Sequence, residues 1–157
     1  MDTRRLLVDE ARRRGVTIAT AESCTAGLVA SALADIPGSS AVLRGGAVTY
    51  CDGVKRDVLG VHATTLDTYS AVSEQTAAEM AEGARKLFDS DLSVSLTGYA
   101  GPGGGSSADP VGTVYIAVCD RRETSVHRCS FQGERNEVRR IACETALQLL
   151  LDLVLSM

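Results

Sequence analysis

The sequence predicts an α/β fold, a three-layer α/β/α sandwich with a mixed central sheet, built as a single domain over residues 1–157. Three observations predict it. Short apolar runs of strand character alternate with amphipathic helical stretches, an order that lays helices on both faces of a sheet. Two runs near the end, 112–119 and 124–131, are separated only by Asp120-Arg121-Arg122-Glu123 and read as an antiparallel hairpin, which makes the sheet mixed. No linker, repeat or low-complexity stretch divides the chain, and 157 residues suffice for one ordinary core.

The elements follow in order. Residues 3–14 form a first helix with a modest apolar face of Leu6, Leu7 and Ala11, ended by Gly15. Arg12-Arg13-Arg14 falls in its last turn, where cations suit the negative end of the helix dipole. Residues 16–21 read as a strand. Beyond a turn, Leu28, Val29, Ala32, Leu33 and Ile36 share one helical face, and Pro37-Gly38 stops that helix. The apolar run 41–50 reads as a buried strand, its Gly45-Gly46 marking a close backbone approach or a bulge. Residues 52–60 give a short helix with Val54, Val58 and Leu59 inward and Lys55 on or beside its first turn; 62–68 give another helical region. Ser73 caps a clearer helix with a stripe of Ala77, Met80, Ala81, Ala84, Leu87 and Phe88. Leu92, Val94 and Leu96 alternate in a strand that ends at Thr97-Gly98. Residues 99–110 form a glycine-rich loop before the hairpin. Residues 133–155 form a long terminal helix with Val138, Ile141, Ala142, Thr145, Ala146, Leu149 and Leu153 on one face. Leu150, Leu151, Val154 and Leu155 widen that surface, for burial on the sheet or for a dimer interface.

Composition excludes several classes. Hydrophobic content of 45% and charge of 23% are those of a soluble globular protein. A net charge of −4 argues against a nucleic-acid surface, which needs a basic patch. No apolar stretch follows the early arginines, so no secretory signal is expected. The longest apolar run, Leu149-Leu150-Leu151, meets Asp152 and is far too short for a bilayer, so no membrane partner is expected. Five cysteines (24, 51, 119, 129, 143) show no Cys-x-x-Cys or Cys/His cluster, so neither structural zinc nor another metal is expected. Reduced thiols in a cytoplasm fit best. With only His62 and His127, a histidine-based triad has few sources.

The chemistry concentrates on Thr20-Ala21-Glu22-Ser23-Cys24-Thr25-Ala26-Gly27, which joins a strand to a helix. The first amides of a helix lack internal partners and its amino end is positive, so an oxyanion or phosphate is stabilised there. Ser23 on this turn is a candidate nucleophile; the plainer alternative is that Ser23 or Thr25 is an N-cap. Lys55 qualifies as a base if burial lowers its pKa, and is otherwise a solvent-facing helix lysine. Tyr50, at the end of an apolar strand, has a hydroxyl within range of the same place or is an amphipathic edge residue. Cys24 is a rival nucleophile without an evident activator. The loop with Gly98, Gly101, Gly103, Gly104 and Gly105 is neither a Walker loop nor a Rossmann turn. Its amides suit a carboxylate or phosphate, or the loop is a mobile turn. Arg135 offers a planar fork of donors to an anionic group, or pairs with Glu134 or Glu137.

Ala21-Glu22-Ser23-Cys24-Thr25, Pro37-Gly38-Ser39-Ser40, Gly46-Ala47-Val48-Thr49-Tyr50, Lys55, Leu59-Gly60-Val61, Ala71-Val72-Ser73, Met80-Ala81-Glu82-Gly83, Thr97-Gly98-Tyr99-Ala100-Gly101-Pro102-Gly103-Gly104, Pro110-Val111-Gly112-Thr113-Val114 and Phe131-Gln132-Gly133-Glu134-Arg135 resemble, collinearly, the CinA C-terminal domain family. Its enzymes are nicotinamide-nucleotide amidases. The resemblance implies hydrolysis of nicotinamide mononucleotide to nicotinate mononucleotide and ammonia, without cofactor or metal, in pyridine nucleotide salvage. It implies Ser23 as nucleophile, Lys55 as base and Tyr50 as an assisting hydroxyl. It places Thr25, Thr97, Gly98, Gly101, Gly103, Gly104 and Arg135 around a small-molecule nucleotide, puts the oxyanion at the start of the Thr25 helix, and suggests a homodimer in the cytoplasm. The chain looks like the family's stand-alone form.

Departures from the family pattern stand at Ala26, where glycine is common, at Cys51-Asp52, where Ser-Asn is common, and at Tyr99, where an aliphatic residue is usual. An Asp52 anion is placed to raise the pKa of Lys55. The alternatives are therefore a catalytically weak nucleotide-binding or interaction protein with this fold, or an amidase for a different amide.

Overall fold

A computed structural model describes residues 1–157. The elements are α1 (Thr3–Arg14), β1 (Ile18–Glu22), α2 (Leu28–Ala34), a 3-10 turn (Ser39–Ala41), β2 (Leu43–Val48), α3 (Asp52–Leu59), α4 (Ala63–Tyr69), α5 (Glu74–Leu87), β3 (Leu92–Gly98), β4 (Thr113–Cys119), β5 (Thr124–Ser130) and α6 (Arg135–Leu155). The strands form one sheet in the order β2-β1-β3-β4-β5. β2, β1 and β3 are parallel, whereas β4 and β5 run antiparallel as a hairpin. The mixed sheet of the sequence reading is present.

Strand alternation makes the three layers. Leu92, Val94 and Leu96 of β3 join the main core with Leu7, Val8 and Ala11 of α1, Val29 and Leu33 of α2, and Val138, Ala142, Ala146 and Leu150 of α6. The intervening Ser93 and Ser95 point to the other face, where their hydroxyls donate to Ala81 and Ala77 carbonyls of α5. That face is built from small residues, and α5 lies close on the sheet with α3 and α4 beside it. Close approach is required at Gly83, where an added Cβ would lie 1.9 Å from the Leu59 carbonyl oxygen of α3.

Local differences from the sequence reading have physical causes. β2 is an edge strand, so its residues alternate between half-buried and exposed rather than forming a buried run. Lys55 and Leu59, one turn apart, occupy the inner face of α3, and Val54 and Val58 consequently face outward. On α6 the buried face is Val138, Ala142, Cys143, Ala146, Leu147, Leu150, Leu151 and Val154; Ile141, Leu149 and Leu153 lie at its margins and Leu155 is exposed. Leu87, expected in the α5 stripe, is also exposed. β1 is displaced to Ile18–Glu22, so Glu22 belongs to the strand and not to the turn. β2 ends at Val48, leaving Thr49 and Tyr50 beyond it.

This topology makes a crevice. β1 and β3 are neighbours. The chain leaving β1 crosses to β2 through α2 on the α6 face, whereas the chain leaving β3 enters the glycine loop and returns as β4. The diverging connections leave the carboxyl ends of β1 and β3 open, where α/β sheets place ligands.

Candidate active site

Ser23 follows the last residue of β1, and its amide donates to the Leu96 carbonyl of β3 at 3.0 Å, which fixes it at the crevice floor. Opposite, the Thr49 amide donates to the Glu22 carbonyl at 2.9 Å and so pins the segment entering α3. One turn into α3, Lys55 points inward and is 1% exposed. Its Nζ lies 3.0 Å from Ser23 Oγ and donates to the Thr49 carbonyl at 2.8 Å. Burial holds the lysine below its ordinary pKa, and the nearby Asp52 charge opposes that shift from a distance, without an ion pair. The solvent-facing reading of Lys55 is thereby excluded. A buried amine that gives one hydrogen to a fixed carbonyl keeps its lone pair for the serine proton.

Ser23 is not the helix cap. α2 begins at Leu28, with Gly27 at its N-cap position and no capping bond from that residue. The capping role falls to Glu22, a buried carboxylate at the end of β1: it accepts the amides of Val29 at 2.9 Å and Ala30 at 3.1 Å. The Leu28 amide goes to the Thr25 carbonyl. The amino end of this helix is therefore occupied and does not offer its amides to an oxyanion, as the sequence reading had placed it. Among the turn and loop residues that line the cleft, the amides of Cys24, Ala100, Gly101 and Gly103 have no acceptor.

The crevice holds a cleft of about 240 Å³ lined by Ser23, Cys24, Tyr50, Lys55, Thr97, Gly98, Tyr99, Gly101, Gly103 and Arg135, among others. The fold thus brings most of the sequence-predicted residues together. Thr25 is an exception: it is fully buried, and its hydroxyl donates to Glu22 Oε1 at 2.7 Å. Gly104 is another, packed against the Tyr99 ring instead of the cleft. Thr97 lines the cleft, but its hydroxyl donates to the Ala71 carbonyl. Tyr50 stands on the rim, 57% exposed, and its hydroxyl accepts from Arg135 Nη2 at 3.0 Å instead of contacting Ser23 or Lys55. Arg135 Nη1 also donates to the Gly101 carbonyl at 2.7 Å, so both its terminal nitrogens are engaged away from Glu134 and Glu137. Cys24, the rival nucleophile, is buried, and desolvation pushes its thiol up to about 11.

Two site residues escape sequence reasoning. Glu22 reads as one acid in a motif; only its position at the strand end shows its capping role. Arg139, four residues into α6, donates from Nε to the Cys24 carbonyl at 2.8 Å and from Nη2 to the Thr25 carbonyl at 3.2 Å. No local pattern connects it to a turn so distant in sequence. A larger hollow of about 720 Å³, lined by Arg14, Asp91 and the Asp120–Glu123 hairpin tip among others, lies at the opposite end of the sheet without a nucleophile–base pair.

Fold and site together define an α/β sandwich carrying a serine–lysine pair at the carboxyl edge of a mixed sheet. The model of the CinA C-terminal domain matches residues 2–154, and the chain belongs to that family. It is 48% identical over 139 residues to a CinA-like protein of Geobacter sulfurreducens, an alignment covering 88% of this chain and 34% of that protein. A CinA-like protein of Leptospira borgpetersenii is 47% identical over 138 residues, covering 87% of this chain and 33% of the relative. The chain thus spans about a third of the length of these curated relatives. Among solved structures, the competence/damage inducible protein CihA from Agrobacterium tumefaciens superposes with a TM-score of 0.93 at 43% identity, covering 98% of this chain and 96% of that one. A CinA superfamily protein from Klebsiella pneumoniae gives 0.95 at 35% identity over the full length of both chains. No helix is long and apolar enough to cross a membrane.

Proposed function

We propose that this chain is a nicotinamide-nucleotide amidase, hydrolysing nicotinamide mononucleotide to nicotinate mononucleotide and ammonia. The observation that supports it is the buried contact between Lys55 Nζ and Ser23 Oγ at 3.0 Å. Neutral Lys55 takes the Ser23 proton as Oγ attacks the carboxamide carbon. The free amide of Cys24, and those of Ala100 and Gly101 across the cleft, are the donors available to the oxyanion. The Lys55 ammonium then protonates the departing nitrogen, which leaves as ammonia. Water adds to the acyl ester with Lys55 as base, and Ser23 leaves as the nicotinate forms. Arg135, already on the Tyr50 hydroxyl and the Gly101 carbonyl, shapes the rim. A cleft of about 240 Å³ is smaller than the ~300–1,000 Å³ usual for whole ligands, which suits the pyridine carboxamide inside and the ribose phosphate beyond the rim.

The test is ammonia release from nicotinamide mononucleotide by the purified protein, with Ser23→Ala and Lys55→Ala as controls. Release abolished by both supports the reading. Release that survives Ser23→Ala overturns it.

A further inference from the structure

The turn that carries Ser23 is held from two sides by opposite charges. From β1, Glu22 Oε1 accepts the Thr25 hydroxyl at 2.7 Å while the same carboxylate holds the Val29 and Ala30 amides. From α6, Arg139 donates to the carbonyls of Cys24 and Thr25, and its remaining Nη1 donates to Asn136 Oδ1 at 3.0 Å, which orients the guanidinium plane. The turn between these grips is strained at Ala26, a non-glycine residue held at φ 49°. Without the external ties it has softer conformations available.

The peptide between Cys24 and Thr25 is where this matters. A trans peptide is planar, with its N–H directed opposite to its C=O. The Cys24 carbonyl points at Arg139, so the guanidinium fixes the plane of this peptide and with it the backbone of Cys24, which lines the cleft beside Ser23. We infer that Arg139, working against Glu22, is a positioning residue that orients the Cys24–Thr25 peptide and thereby holds the Ser23 hydroxyl and the neighbouring Cys24 amide in place for the reaction. The inference rests on the serine–lysine amidase reading. Arg139 does not line the cleft and makes no hydrogen bond to Ser23 itself; it acts through two backbone carbonyls. A lysine does not substitute for it, because a single ammonium does not reproduce the two-pronged planar fork.

The experiment compares the parent with Arg139→Lys and Arg139→Met. Its readouts are kcat and KM on nicotinamide mononucleotide, the pH profile of kcat/KM, the melting temperature, and labelling of Ser23 by a fluorophosphonate followed by intact mass. The expected result is a loss of kcat of about a hundredfold in Arg139→Met with KM moved less than about threefold, as misplacement near a reacting group gives. Fluorophosphonate labelling slows in parallel, Arg139→Lys recovers little, and the acid limb set by Lys55 stays in place. A variant that melts lower but keeps the parent's kcat and labelling rate overturns the inference and leaves Arg139 a packing residue. Full rescue by Arg139→Lys overturns it too, since charge alone would then suffice. A parent that neither releases ammonia nor labels at Ser23 overturns the amidase reading instead, and the inference falls with it; a parent active in both, with variants equal to it, sinks only the inference.

Discussion

Lys55 Nζ and Ser23 Oγ are hydrogen-bonded at 3.0 Å although 32 positions separate them in the chain. The contact exists because β1 and β2 are parallel neighbours, so the residues leaving their carboxyl ends meet. Thr49, bonded to Glu22 through its amide and to Lys55 through its carbonyl, ties the two together.

In the proposed mechanism the neutral Lys55 amine is the base, so activity is expected to rise with pH through a limb set by that residue. Burial lowers that pKa from its ordinary 10.5, so the limb lies at lower pH than an exposed lysine would give. Asp52 opposes the shift, and Asp52→Asn is therefore expected to move the limb to still lower pH. A pH profile of kcat/KM for both proteins checks it; a limb that moves up or stays put contradicts the electrostatic account.

Burying Lys55 costs stability while it is protonated. Its folded pKa lies below the unfolded 10.5, so between those values the unfolded chain binds more protons and stability rises with pH. Below the folded pKa the full cost is present; above 10.5 it is gone. Lys55→Met is therefore expected to be inactive and yet gain melting temperature relative to the parent near neutrality, with the difference shrinking at alkaline pH. Melting curves of both proteins across the alkaline range measure it.

Gly83→Ala is expected to damage stability and catalysis together. Its Cβ would be placed 1.9 Å from the Leu59 carbonyl oxygen, and relief of that contact is expected to displace α3. Overpacking of this kind costs ~1–3 kcal/mol, and α3 carries Lys55 with it. Denaturant melts and kcat on one preparation would show both losses; a stability loss with kcat intact would mean α5 yields instead.

Cys24 is expected to resist alkylation. Its thiol is buried and pushed up to about 11, whereas Cys51 is exposed. Iodoacetamide near neutral pH followed by peptide mass mapping should modify Cys51 and spare Cys24 in the folded protein.

Ala26→Gly should stabilise the chain, since Ala26 occupies φ 49° in the left-handed region. Relief of that conformation is worth ~1 kcal/mol, and a melting temperature unchanged or lower would show that the turn is not strained as described.

Much of the fold was legible in local pattern. The period-two alternation of Leu92, Val94 and Leu96 gave β3, the spacing of Ala77, Met80, Ala81 and Ala84 gave the inner stripe of α5, and Asp120–Glu123 marked the hairpin. The errors share one cause. Whether an apolar residue is buried depends on which element covers it, so β2 read as buried proved to be an edge, and Val54 and Val58 turned outward when Lys55 took the inner face. An inward lysine breaks the usual pattern of polar residues outside, and no helical periodicity announces it.

The sequence by itself determined the architecture, the strand-to-helix placement of Ser23 and the set of residues that resemble one family's site, because these depend on neighbours within a few positions. The tertiary structure alone decided that Lys55 is buried against Ser23, that Glu22 and not Ser23 caps α2, that Thr25 turns away from the cleft, and that Arg139 reaches back from α6 to the turn. Those facts rest on contacts between distant segments, and such contacts follow from sheet order and helix packing rather than from spacing along the chain.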